Sequence, residues 1–201
     1  MTWHEKFMGM QNMADDVIAI TLQVTDALET LGVPHFIGGS VASTLYGMVR
    51  TTQDSDIIAD LRAENLPFFM DALKNEFYLD GEMIADAIAH RTSFNIIHRE
   101  SMFKVDVFVP RPRPFVEMQF SRARKENLSS DPKMVANVAS PEDTLLAKLE
   151  WYRMGGEVSE RQWRDVLGIL KVQAGALEMD YLRRMANELG VEDLLERALQ
   201  A

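Results

Sequence analysis

The sequence contains no cysteine, which excludes disulfides, thiolate metal sites and cysteine nucleophiles together. Long apolar runs are missing as well: nothing approaches the ~20 consecutive apolar residues that a membrane-spanning helix needs. The opening MTWHEKFMGM lacks the basic segment followed by an apolar one that marks an export signal. A soluble, unexported protein is expected, in keeping with a cytoplasmic location. Positive charge is scarce, with 21 Lys and Arg against 31 Asp and Glu and a net charge of -10. Indiscriminate binding to nucleic acid, which rests on neutralising phosphates, is therefore disfavoured. His4, His35, His90 and His98 are scattered, and no pair of them has metal-ligand spacing on one element. What is present, 47% hydrophobic and 26% charged residues in a chain of 201, suits one globular unit or a core domain with a smaller appendage.

Apolar residues from Asp15 to Leu31 recur at helical spacing and predict an opening helix that Gly32 stops. His35-Phe36-Ile37 reads as a short strand, and Gly38-Gly39 turns the chain into a helix over SVASTLYGM. DSDIIADL is an acidic start on an apolar strand. ENLPFFMDALKNEF and GEMIADAIAH predict two helices, the second introduced by Asp80-Gly81. TSFNIIH and MFKVDVFV, rich in β-branched and aromatic residues, predict a hairpin. Residues 110 to 133, with PRPRPF and SRARKENLSSDPK, predict a loop with a short strand around Phe115 to Phe120. That stretch is net basic in an acidic protein, and it reads either as a solvated loop or as a rim that guides an anionic acceptor. MVANV predicts the last strand. Ser140-Pro141-Glu142-Asp143 then supplies an N-cap, a proline at the first helical position and acids in the first turn. Everything beyond reads as helix, so the expected division is an α/β core with its N-terminal helix over residues 1–139 and a helical region over 140–201. Trp151, Tyr152 and Trp163 fall at spacings that suit packing between those helices rather than a base-stacking platform. The thirteen methionines read as core filler.

Asp54 and Asp56 flank Ser55 where a strand begins, and strand alternation points both the same way. Two carboxylates on one face repel unless a cation lies between them, and oxygen-only ligation suits Mg²⁺ or Mn²⁺. A plain exposed strand end is the alternative. Asp106 lies in Phe103-Lys104-Val105-Asp106-Val107-Phe108-Val109, a run so apolar that both faces of its centre are expected to be buried. A charge there needs a cation, either a metal or a salt bridge to Arg50, Arg91 or Lys104. Gly38-Gly39-Ser40 reads as a tight turn or, through amides at a helix N-terminus and the Ser40 hydroxyl, as a cradle for phosphate oxygens. It matches neither GxxxxGK[ST] nor GxGxxG. Glycine turn, paired aspartates and a third aspartate on a later strand together describe a metal-dependent site for a nucleoside triphosphate.

This constellation resembles the nucleotidyltransferase superfamily with the DNA polymerase β-type fold: a hydrophobic residue with G[GS], then DxD, then a third carboxylate on a neighbouring strand. The matching residues are Ile37-Gly38-Gly39-Ser40, Asp54-Ser55-Asp56 and Asp106. GGSVASTLYGMVRTTQDSDI is most similar to AbiEii-like and related bacterial nucleotidyltransferase proteins, in which GGxA, Arg-x-Thr and DxD follow one another. KLEWYRM with Lys148, and QWRDVLGIL with Arg164 and Asp165, resemble their later features. Ser55 stands where a hydrophobic residue is commoner, and Gly168 stands near where a further aspartate would fall. The resemblance spans roughly residues 34 to 170 and implies an α+β fold, a nucleotidyltransferase-type mixed sheet flanked by helices, with a C-terminal helical region. It further implies an enzyme that moves a nucleotide from an NTP to a hydroxyl on RNA, protein or a small molecule and releases pyrophosphate. Asp54, Asp56 and Asp106 would hold two Mg²⁺ (or Mn²⁺) ions, and Gly38, Gly39 and Ser40 would hold the outgoing phosphates. Lys148 would reach the triphosphate or is a solvated helix lysine; Arg50 would brace the loop or touch phosphate. A toxin-antitoxin component with a cognate antitoxin fits the same resemblance, as does a non-catalytic nucleotide-binding or regulatory protein on this fold.

Overall fold

The computed structural model describes residues 3–48, 52 and 54–201, with side chains in the opening helix from residue 15 onward. That helix, α1 (Trp3–Thr30), starts earlier than its apolar periodicity predicts. It stops where Gly32 turns to φ +65°. The Val33 amide then donates to the Leu28 carbonyl at 2.9 Å and the Gly32 amide to Glu29 at 3.0 Å, the paired bonds of a Schellman motif. There follow β1 (His35–Ile37), α2 (Gly39–Tyr46), β2 (Asp54–Ala59), a 3-10 turn (Ala63–Asn65), α3 (Leu66–Leu73), β3 (Phe77–Tyr78) and α4 (Gly81–His90). Next are β4 (Ser93–His98), β5 (Lys104–Phe108), α5 (Pro114–Arg122), β6 (Arg124–Asn127) and β7 (Val135–Val138). The helices α6 (Pro141–Met154), α7 (Glu160–Val172), α8 (Met179–Glu188) and α9 (Glu192–Leu199) complete the chain. This is an α+β fold.

The strands form one mixed sheet in the order β3-β4-β5-β2-β1-β7-β6. β2 runs parallel to β5 and β1 parallel to β7, and the remaining neighbours are antiparallel. Phe94, Ile96, Val105, Val107, Ile57 and Ile37 are buried, all on the face that receives α1, α3 and α4; Phe94 meets the Phe69 ring of α3 edge-on at 6.2 Å. Strand alternation therefore sends residues 54, 56, 104, 106 and 108 to the opposite face. There α2 packs on β2 and is itself held by α6 and α7.

Residues 110 to 133 are not a loop with a short strand. Pro114 sits at the first position of α5, where a missing amide hydrogen costs nothing. Phe115, Val116 and Gln119 then bury one helical face, and the Phe120 ring meets Phe36 edge-on at 5.2 Å. The polar Arg124-Lys125-Glu126-Asn127 pairs antiparallel with β7 as an edge strand, where charged side chains are usual and hydrophobic alternation is weak. Two of the basic groups of this stretch, Arg113 and Arg122, are held in ion pairs. Arg113 makes a bidentate pair with Glu150 at 2.5 and 2.7 Å. Arg122 reaches Glu178 at 2.9 Å, Glu142 at 3.1 Å and Asp143 at 3.5 Å.

Candidate active site

Asp56 and Asp106 are in-register partners on the parallel strands β2 and β5, and Asp54 is in register with Lys104. Neighbouring strands lie ~4.8 Å apart, so three carboxylates and one ammonium share a small patch of one sheet face. β5 is not buried on both faces: Val105 and Val107 are enclosed, while Lys104, Asp106 and Phe108 alternate with them on the face left partly open. The cation beside Asp106 is Lys104, whose Nζ lies 2.7 Å from Asp106 Oδ2. Arg91 pairs instead with Asp60 at 2.7 Å, and Arg50 lies outside the described residues. The Asp106 hydrogen bond, reinforced by the charges of Asp106, Asp54 and Asp56, holds the Lys104 ammonium above the ordinary lysine range.

The double-glycine turn is shaped around Asp56. The Gly38 amide donates to the Asp56 carbonyl at 2.9 Å, extending the β1–β2 ladder, and the Ser40 amide donates to Asp56 Oδ2 at 3.2 Å. Gly39 adopts φ +52°, and a Cβ there would stand 1.7 Å from Asp56 Oδ2. The Ser40 hydroxyl is turned inward: it lies 2.6 Å from Thr52 Oγ1, and both hydroxyls face the Asp54 carbonyl, at 3.3 and 2.8 Å. Ser40 thus braces the approach to Asp54 through its side chain while its backbone holds Asp56. Thr52 closes the Arg-x-Thr motif; its motif position is visible in the sequence, its bridging role is not.

Burial pushes the Asp56 carboxyl above the usual carboxylate range, and the charges of Asp54 and Asp106 add to that, against the Ser40 amide and Lys148. Lys148 acts on Asp56 through charge while its Nζ donates to Asp165 Oδ2 at 2.9 Å. Ser43 of α2 donates to the same Asp165 oxygen at 3.4 Å. Lys148 is therefore a partly buried, positioned cation between α6, α7 and α2, not a solvated helix lysine. Arg164, the neighbour of Asp165, is exposed and near Glu160 at 3.8 Å. Gly38, Gly39, Ser40, Asp54, Asp56 and Asp106 are thus brought together, with Lys148 behind them.

Among the described residues no group of three or more His, Cys, Asp or Glu side chains stands close enough together to hold a metal ion as it is. The donor chemistry nonetheless fits Mg²⁺ or Mn²⁺. Three carboxylates on one face offer oxygen ligands only, and Asp56 is buried against two like charges, a state that a divalent cation relieves.

No protein-family model matches the chain, and no curated protein matches its sequence. The fold is matched by solved structures. The crystal structure of an antigenic nucleotidyltransferase-like protein from Paracoccidioides brasiliensis superposes with a TM-score of 0.54 at 16% identity, covering 94% of each chain. The solution structure of the antibiotic-resistance factor ANT(2'')-Ia gives a TM-score of 0.53 at 12% identity, covering 93% of this chain and 98% of that one. Its crystal structure in complex with adenylyl-2''-tobramycin gives 0.51 at 9%, covering 85% and 97%. The chain has the nucleotidyltransferase fold, as its motifs imply. The carboxylates and glycine turn described above lie on adjoining elements of that fold.

Proposed function

We propose that this protein is a metal-dependent nucleotidyltransferase that moves a nucleotide from an NTP to a hydroxyl acceptor and releases pyrophosphate. The observation that carries this reading is the register of Asp56 with Asp106, with Asp54 on the same face and Asp56 held by the Gly39–Ser40 turn. The fold likeness supports it, and a related fold solved with an adenylylated tobramycin favours a small-molecule acceptor.

In this reading Asp54, Asp56 and Asp106 would hold Mg²⁺ or Mn²⁺, which when bound would supply charge neutralisation at the triphosphate. The Gly39 amide at the start of α2 would orient the outgoing phosphates, the Gly38 and Ser40 amides being held by Asp56. Lys148, fixed by Asp165, places a positive charge behind Asp56 and steadies the triphosphate. The acceptor oxygen attacks the α-phosphorus, its proton passes to the Asp106 carboxylate, and the bond from the α-phosphorus to the bridging oxygen of the β-phosphate breaks. Catalysis then comes chiefly from positioning and charge.

Isothermal titration with Mn²⁺ and with ATP, GTP, CTP and UTP tests the reading. Mn²⁺ binding should fall at least tenfold, on the order of 1.4 kcal/mol, in Asp54→Asn and in Asp56→Asn. Unchanged binding in both variants would refute the proposal.

A further inference from the structure

Lys104 stands inside the acidic patch rather than beside it. It is the register partner of Asp54, it lies two residues from Asp106 on the same strand face, and its ammonium is 2.7 Å from Asp106 Oδ2. Its side chain is 43% exposed at the first residue of β5. It is therefore attached at the rim by a long flexible stem with room to leave. Asp106 itself is only 19% exposed, so the oxygen that Lys104 covers is one that solvent reaches poorly. A metal or an acceptor proton would compete with Lys104 for the same carboxylate.

We infer that Lys104 is a displaceable internal counter-ion: it neutralises the carboxylates of the metal-free site, competes with the divalent cation for Asp106, and swings out when metal and nucleotide arrive. This rests on the metal-site reading above and adds to it a residue that the motifs do not contain. Physically, three carboxylates within one patch repel one another, and a cation supplied by the fold relieves this while no metal is bound. A divalent ion must then displace a resident charge rather than enter an open site. The consequence is a site that stays intact without metal but loads it weakly until a triphosphate brings further negative charge. Lys104 is thus a positioning residue: while it holds Asp106 Oδ2 that oxygen cannot take the acceptor proton, and its departure frees the carboxylate.

Mn²⁺ titration followed by electron paramagnetic resonance, with no nucleotide present, tests this on the full chain. Lys104→Met should bind Mn²⁺ more tightly, by roughly tenfold for the loss of one close, partly exposed charge pair, and Lys104→Arg should stay near wild type. In metal-free buffer Lys104→Met should also melt lower than wild type and gain more from Mn²⁺, because binding to the folded state alone raises the melting temperature. Unchanged or weaker Mn²⁺ binding in Lys104→Met would overturn the counter-ion role. Asp54→Asn and Asp56→Asn run in parallel separate the two ideas: if both bind Mn²⁺ like wild type, the metal site itself is wrong, whatever Lys104 does.

Discussion

A single methyl group on Gly39 would collide with the carboxylate that the turn exists to hold. The position has φ +52° and leaves 1.7 Å between a Cβ placed there and Asp56 Oδ2. An alanine in that left-handed conformation costs ~1–2 kcal/mol before any contact is counted, and the collision adds to it. Because Asp56 is the side chain that must give way, Gly39→Ala is expected to keep the far-ultraviolet circular dichroism of wild type yet lose most Mn²⁺ and NTP binding. Retained Mn²⁺ affinity would show that Asp56 can move without consequence. Thr52 makes a smaller contribution of the same kind. Its hydroxyl stands between Ser40 and the Asp54 carbonyl, so Thr52→Val should destabilise by ~1 kcal/mol, read as a lower urea midpoint.

The helices carry a second charged cluster, and its role is to tie elements together. Glu142 and Asp143 in the first turn of α6 are almost wholly buried, and Arg122 at the end of α5 faces both. Tyr181 of α8 donates to Asp143 at 2.5 Å, and the Arg122 guanidinium stacks 4.0 Å from the centre of the Tyr181 ring. Burial holds the Asp143 carboxyl above its ordinary range, with Tyr181, Ser140 and Arg122 working against that and Glu142 adding to it. Arg122→Met leaves buried Asp143 without its cation and Glu142 with only Arg124, 3.7 Å away, which should cost ~3–5 kcal/mol. The sign with pH follows from the raised carboxyl. The unfolded chain ionises Asp143 at the usual carboxylate pKa, while the folded variant resists, so its deficit grows as pH rises through that window. Urea melts at acid and neutral pH should show the smaller deficit at acid pH; an equal deficit would mean that the carboxylates do not sense Arg122. This cluster also marks the limit of what local sequence encodes. Ser140-Pro141-Glu142-Asp143 announces a helix start correctly, because a cap is local chemistry. That Glu142 and Asp143 are buried is not legible there, because their partners lie 20 and 38 residues away at Arg122 and Tyr181. The same holds in the site: Asp54 and Asp56 are readable from strand alternation, whereas the choice of Lys104 over Arg91 depends on β4, β5 and β2 lying side by side. Gly168, which breaks the expected aspartate pattern on α7, has a local reason. A Cβ there would stand 3.2 Å from the Met48 amide nitrogen at the end of α2, so close packing of the two elements favours glycine.

At the scale of the molecule the question is what acceptor such a surface admits. The net charge is -10, and four cations of the described residues are already engaged: Lys104 with Asp106, Lys148 with Asp165, Arg91 with Asp60, Arg113 with Glu150. A polyanion gains affinity by releasing its counterions to free basic groups, and here Lys104, Lys148, Arg91 and Arg113 would each first have to abandon a carboxylate. Arg113 and Arg122 of the basic stretch serve the fold through their ion pairs: reversing charge at these two is expected to lower stability, not to act selectively on an acceptor. Screening deepens the disadvantage, since beyond ~8 Å at physiological ionic strength isolated surface charges no longer attract. An uncharged or cationic acceptor meets none of these costs. Fluorescence anisotropy with a labelled twelve-residue oligoadenylate should accordingly show no binding at physiological salt, with or without Mn²⁺, under conditions where ATP binds. Tight binding that falls steeply with added salt would show instead that the ion pairs open to receive a polyanion, and would move the acceptor from a small molecule to RNA.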